Sequence, residues 1–139
     1  MLERVLPRVP DEIQTGRPLE GVLTFRETLA RLAERDGHRL ATLEATFAED
    51  VPRADDADGP PDALANDAAP ADLLDRLTHA RRALVAFLER LPPDAWARAA
   101  AFPDAPRTVY AQVERAVEAD TDLLRSLAER LYDVQGPRR

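Results

Sequence analysis

The chain has 139 residues, the length of one domain, with 45% hydrophobic but only 5% aromatic residues, so its core must be built from Leu, Val and Ala, which favours helices over a β-sandwich. A formal charge of -7 works against nucleic acid and anionic membranes as partners, because clustered positive charge is what grips both. With no cysteine there is no disulfide, thiolate nucleophile or Cys-ligated zinc; no apolar run reaches the length of a membrane span, and the chain reads as cytoplasmic.

Among the first 20 residues Leu2, Val5, Leu6, Val9 and Ile13 fall at helical spacing but are broken by Pro7 and Pro10, which predicts a short or kinked first helix. Thr24-Phe25-Arg26-Glu27 is a capping-box pattern that opens a long helix running to about Ala48. Its apolar stripe is Phe25, Leu29, Leu32, Leu40, Leu43 and Phe47, and the step between Leu32 and Leu40 lands on Asp36, an acid on the inward face. Glu49 to Ala69 is rich in Pro, Ala and Asp, with too few large apolar residues to fold alone. It reads as a long, mobile crossover loop, and in four-helix bundles such a loop joins parallel helices. Asp56-Ala57-Asp58-Gly59 within it lacks the ligand ladder and closing Glu of a calcium loop. The second long helix starts at Pro70 and ends before Pro92-Pro93, with Leu73, Leu77, Ala80, Leu84, Phe87 and Leu91 forming a bundle seam. The third runs from about Thr108 to Leu131; Val109, Val113, Ala116, Leu124, Leu127 and Leu131 share a stripe that Asp120 interrupts, a second inward acid. The tail Gln135-Gly136-Pro137-Arg138-Arg139 reads as mobile surface.

Four segments carry a family resemblance: Leu23 to Ala33, Asp72-Leu73-Leu74 with Arg81, Leu91-Pro92-Pro93-Asp94-Ala95-Trp96, and Thr108-Val109. In this order and spacing, with the acidic loop between the first two, the chain after Gly21 resembles the DinB-like family of metal-binding four-helix bundles, which includes thiol-dependent transferases. The resemblance implies an all-α four-helix bundle with a long crossover loop between its second and third helices and a short or interrupted first helix, in one domain spanning residues 1–139. Family members usually hold a divalent metal through one His on the second helix and two His spaced by four on the last, a spacing that puts both imidazoles on one helix face. The matching positions here are Arg31, Ala119 and Leu123. The family's metal site is therefore expected to be absent, with no cofactor in its place.

Arg31 puts a permanent positive charge near where the resemblance would place the cation, and Asp36 and Asp120 flank it on the inward stripes. Burying an acid without a partner is costly. Two arrangements follow: a charge network in which Arg31 bridges toward Asp120 or Asp36, or helix curvature that leaves both acids solvated at the edge of the seam. Gly37 either permits a close helix approach or is a tolerated surface glycine. His38 and His79, helped by Asp36, would suffice chemically as a surrogate zinc set, the alternative being two partly exposed helix residues. Trp96 and Phe102 read as packing that seals one end of the bundle, with a ligand-gripping role as the other option; Tyr110 and Tyr132 have no activating neighbour.

Three functions compete. The first is a divergent, non-catalytic DinB-like bundle that binds a small molecule or a protein, or whose role is only structural, with the link to stress or damage response that the family name implies. The second is an enzyme that uses Asp36 or Asp120 as a general base, with Arg31 and Arg35 holding an anionic group. The third is a thiol-dependent transferase of the family's kind. A filled bundle centre favours the first and an open polar pocket over Arg31 and Asp120 the second. Apolar seams incompletely covered by an interrupted first helix predict a homodimer through helix faces.

Overall fold

The computed structural model describes residues 9, 11–15, 23–48 and 58–135, and for residues 13 and 131–135 the backbone alone. The expectations that rest on Leu2, Val5, Leu6, residues 49–57, Tyr132 and the tail beyond residue 135 lie outside these. The fold is mostly helical. A short α1 (Asp11–Thr15) precedes three long helices, α2 (Phe25–Ala48), α3 (Pro70–Glu89) and α4 (Val109–Gln135).

Local chemistry sets the helix ends. Thr24 Oγ1 accepts from Glu27 N at 3.1 Å and Glu27 Oε1 accepts from Thr24 N at 3.1 Å, the reciprocal capping box read from the sequence. Pro70 opens α3, where its missing N–H would have had no partner, and α3 stops at Glu89, ahead of the proline pair.

Contacts along the helices set their directions. Near their starts, Leu29 and Ala30 of α2 pack on Leu73, Leu74 and Leu77 of α3; near their ends, Leu43, Leu40 and Phe47 pack on Leu84, Phe87, Leu88 and Leu91. The pair therefore runs parallel, as a crossover connection requires. Val109 and Val113, at the start of α4, join the cluster at the C-terminal ends of α2 and α3, while Arg130 near its other end donates to Leu23 O. Helix α4 therefore runs antiparallel to both.

Two features depart from the sequence reading. Part of the stretch read as a mobile loop is built: Asp62 accepts from Leu64 N at 3.1 Å and caps a 3-10 turn, Ala63–Asp67, whose Ala65 is buried against Leu29, Ala30 and Leu73. A small side chain there lets the backbone sit directly on the helix pair, so few large apolar residues are needed. Ahead of α4, a second 3-10 turn (Pro93–Ala97) leads into a hairpin, β1 (Ala99–Ala101) against antiparallel β2 (Pro106–Thr108) with Ala100 opposite Arg107. Three alanines carry almost no strand signal. Among the described residues the fourth wall of a bundle is no more than the five residues of α1.

Candidate functional site

The inward acids are deeply buried, Asp36 at 0% exposure and Asp120 at 7%, which overturns the solvated-edge arrangement. Two arginines clamp them. Arg39 Nη1 donates to Asp36 Oδ1 at 3.0 Å and Asp120 Oδ2 at 2.9 Å, and its Nη2 donates to Asp120 Oδ1 at 2.9 Å. Arg81 Nε donates to Asp36 Oδ2 and its Nη2 to Asp120 Oδ2, both at 2.6 Å. Two carboxylates and two guanidinium groups thereby tie α2, α3 and α4 together.

The expected bridge from Arg31 is not formed. Arg31 Nη1 donates instead to Gly59 O at 2.7 Å and lies 3.6 Å from Asp58. The reason is helical phase: Arg39 stands three residues after Asp36 and shares its face, whereas Arg31 stands five before it. The spacing of Arg39 was readable in the sequence; the role of Arg81 was not, because it depends on the level at which α3 lies against α2.

Arg35 holds the edge of this cluster, donating through Nε and Nη2 to Asp58 Oδ1 and Oδ2 at 3.1 and 2.9 Å. The hydrogen bond from Arg35 is the main influence on the Asp58 carboxyl and holds it below the usual carboxylate range, and the same bond raises Arg35. Burial works against the charge on Arg81, but its bonds to Asp36 and Asp120 outweigh that and raise it. Arg35 Nη1 is different. It is buried, has no hydrogen-bond partner, and its distance to Asp120 Oδ1 is 3.9 Å.

Beside the cluster lies a cavity of about 760 Å³, within the size range of small-molecule sites. Its charged lining is Arg31, Arg35, Arg39, Arg81 and Arg115 with Glu34, Asp36, Asp58 and Asp120. Apolar side chains of the same helices also line it, Leu84, Val85 and Leu88 of α3 and Val113, Val117 and Leu124 of α4.

Of the three positions that the resemblance to the DinB-like family would give to metal ligands, Arg31 and Ala119 line this cavity and Leu123 does not. None of the three side chains offers a lone pair to a metal, so the residues present do not fit the family's ion. The surrogate set fares no better. His38 and His79 are both exposed, both oxygens of Asp36 are engaged by arginine, and among the described residues no three His, Cys, Asp or Glu side chains gather as a metal site needs.

Trp96 packs in the Leu43, Leu84 and Val109 cluster, as expected of a residue sealing the bundle end. Phe102 lines the cavity and carries the Arg107 guanidinium 4.1 Å above its ring centroid. Tyr110 is 63% exposed. Gly37 is exposed, and a Cβ there would meet nothing within 4 Å, so it is a surface glycine that allows no close approach. None of the described helices is long and apolar enough to cross a membrane. No family model matches the chain, and neither a curated protein nor a solved structure matches it.

Proposed function

We propose that this protein is a divergent DinB-like four-helix bundle that binds a small molecule at the vacated centre and performs no metal-dependent chemistry. The cavity bordered by the ion cluster is the opposite of the filled centre expected of a purely structural bundle, and it supports the small-molecule form of this reading. A bundle with a purely structural role would gain more by filling that space, since a void forfeits packing contacts on every wall. The resemblance in segment order supplies the family, and the family supplies the link to stress or damage response.

The open cavity also favours the second reading, an enzyme working from Asp36 or Asp120. Against it, every oxygen of both carboxylates accepts from a guanidinium N–H, so neither presents a free edge to a substrate proton. A homodimer through helix faces belongs to the same proposal. Val85, Val117 and Tyr110 are apolar or aromatic and stand 41%, 60% and 63% exposed, and sedimentation equilibrium tests it.

The function is tested by elemental analysis and by thermal melts of the full chain with Zn²⁺, Ni²⁺ and a panel of neutral, anionic and cationic small molecules. A ligand of the native state raises the melting temperature. The expected result is no stoichiometric metal, no shift with either ion and a rise with at least one organic class. A bound metal, or a panel without effect, contradicts the proposal.

A further inference from the structure

We propose that the cavity takes a neutral molecule, apolar over most of its length with a hydroxyl or carbonyl as its polar group, and that the ion cluster turns charged molecules away. This rests on the reading of the cavity as a ligand site and adds the class of ligand.

The state of the charged lining sets the first constraint. Every oxygen of Asp36 and Asp120 already accepts from Arg39 or Arg81, at 2.6 to 3.0 Å. Both oxygens of Asp58 accept from Arg35, and Arg31 lies 3.6 Å from the same carboxylate. Arg35 Nη1 has no partner, but it is buried and offers no surface to the cavity. Glu34 and Arg115 also line the cavity but are exposed, where water screens their charge. An anion that approaches Arg39 or Arg81 therefore meets the carboxylates already seated there, and a cation that approaches Asp36 or Asp120 meets guanidinium groups. Either must break a formed pair to enter and leave the displaced partner without its counter-charge. A neutral molecule breaks nothing.

The apolar lining sets the second. Leu84, Val85 and Leu88 line the cavity from α3, and Val113, Val117 and Leu124 from α4. Val85 and Val117 are among the few large apolar side chains left well exposed, so a molecule that covers them gains by removing their surface from water. An inorganic ion or a short, fully polar molecule would leave this surface uncovered.

The uncharged polar lining sets the third. Thr42 and Thr121 contribute hydroxyls, each both donor and acceptor, which match an alcohol or a carbonyl without calling for a charge.

The test is fluorescence of the full chain with Nile red, a neutral dye that brightens in apolar surroundings, followed by its displacement with decanol, decanoate and decyltrimethylammonium. The dye is expected to bind and decanol to displace it, with each charged compound weaker than decanol by about tenfold or more. Asp58→Asn, which frees Arg35 of its partner, is expected to strengthen decanoate about threefold, the worth of an exposed ion pair, and to leave decanol unchanged. A merely structural role for Asp58 would move both compounds alike. Val117→Asp, at an exposed site where folding is not at stake, is expected to weaken the dye and decanol together. Decanoate or decyltrimethylammonium displacing the dye as readily as decanol would overturn the neutral class and leave the ligand-site reading standing. Dye and decanol unaffected by Val117→Asp would overturn the placement in this cavity. A dye that does not bind would overturn the proposal, and the ligand-site reading falls with it only if the mixed panel of the thermal melts is also without effect.

Discussion

Helix α2 buries arginine twice, and it does so in opposite ways. At its N-terminal end Arg26 spends its donors on neutral groups and one acid: Nε on Gln14 Oε1, Nη1 on Asn66 O and Ala68 O, and Nη2 on Asp11 Oδ1, all within 2.9 to 3.0 Å. Beside it, Thr24 Oγ1 donates to Asn66 Oδ1 at 2.6 Å and Asn66 Nδ2 donates to Glu27 Oε2 at 3.2 Å, so amide, hydroxyl and carboxylate satisfy one another. None of these residues borders the cavity. In the middle of the helix the partners are almost all full charges, one buried donor has no acceptor, and a cavity opens alongside. The first network is closed and joins α1, α2 and the 3-10 turn; the second holds its charges at the edge of a cavity, where burying them costs stability.

That contrast is breakable, beginning with the largest effect. Arg26→Ala removes the donor shared by acceptors on α1 and on the 3-10 turn and is expected to cost about 3 kcal/mol in chemical denaturation. A loss under about 1 kcal/mol would show that the closed network is not a fastening. Asp36→Ala leaves Arg39 and Arg81 sharing one acid and is expected to cost about 2 kcal/mol, less than for a wholly buried pair because Arg81 is half exposed. Replacing Asp36 and Arg81 together by Leu should restore most of that loss; no recovery would mean that the central cluster is also a fastening.

Smaller effects sharpen the same contrast. Gly37→Ala adds helix propensity at an exposed site with open space and should stabilise by about 0.5 to 1 kcal/mol without affecting either network. Asp58 gives a pH signature. Its folded carboxyl is held below the ordinary value of 3.8 by Arg35, so its contribution is present above the unfolded value and is lost as pH falls through the lower folded one. Melts of the native chain and of Asp58→Asn should therefore differ by a constant, small amount above about pH 5 and converge below about pH 4, with the gap under about 1 kcal/mol for so exposed a pair. A gap that widens on acidification would reverse the sign of this pairing.

Much of this was legible in the sequence. Capping box, proline stops and apolar stripes set the three long helices, and Asp36 and Asp120 were placed inward by the stripes they interrupt. Their partners were not, because Arg81 meets Asp36 only at one particular level of α3 against α2, a tertiary quantity that periodicity does not contain. Arg39 was within reach of a simpler rule, since it stands three residues from Asp36 on the same helix face. The hairpin escaped notice because Ala99 to Ala101 lack branched side chains, and the order of residues 58–69 because one small buried residue, Ala65, anchors them. The cavity itself had no local signature. It arises from how far α4 stands from α3.

The most direct test of the central claim, that the ionic cluster serves a ligand while the closed network serves the fold, is to follow backbone amide resonances of the full chain as each compound of the neutral, anionic and cationic panel is added. The account predicts shifts along residues 35–39, 81–88 and 113–124, with Gln14, Arg26 and Asn66 unmoved. Shifts centred on Arg26 and Asn66, or a spectrum unchanged throughout, would contradict it.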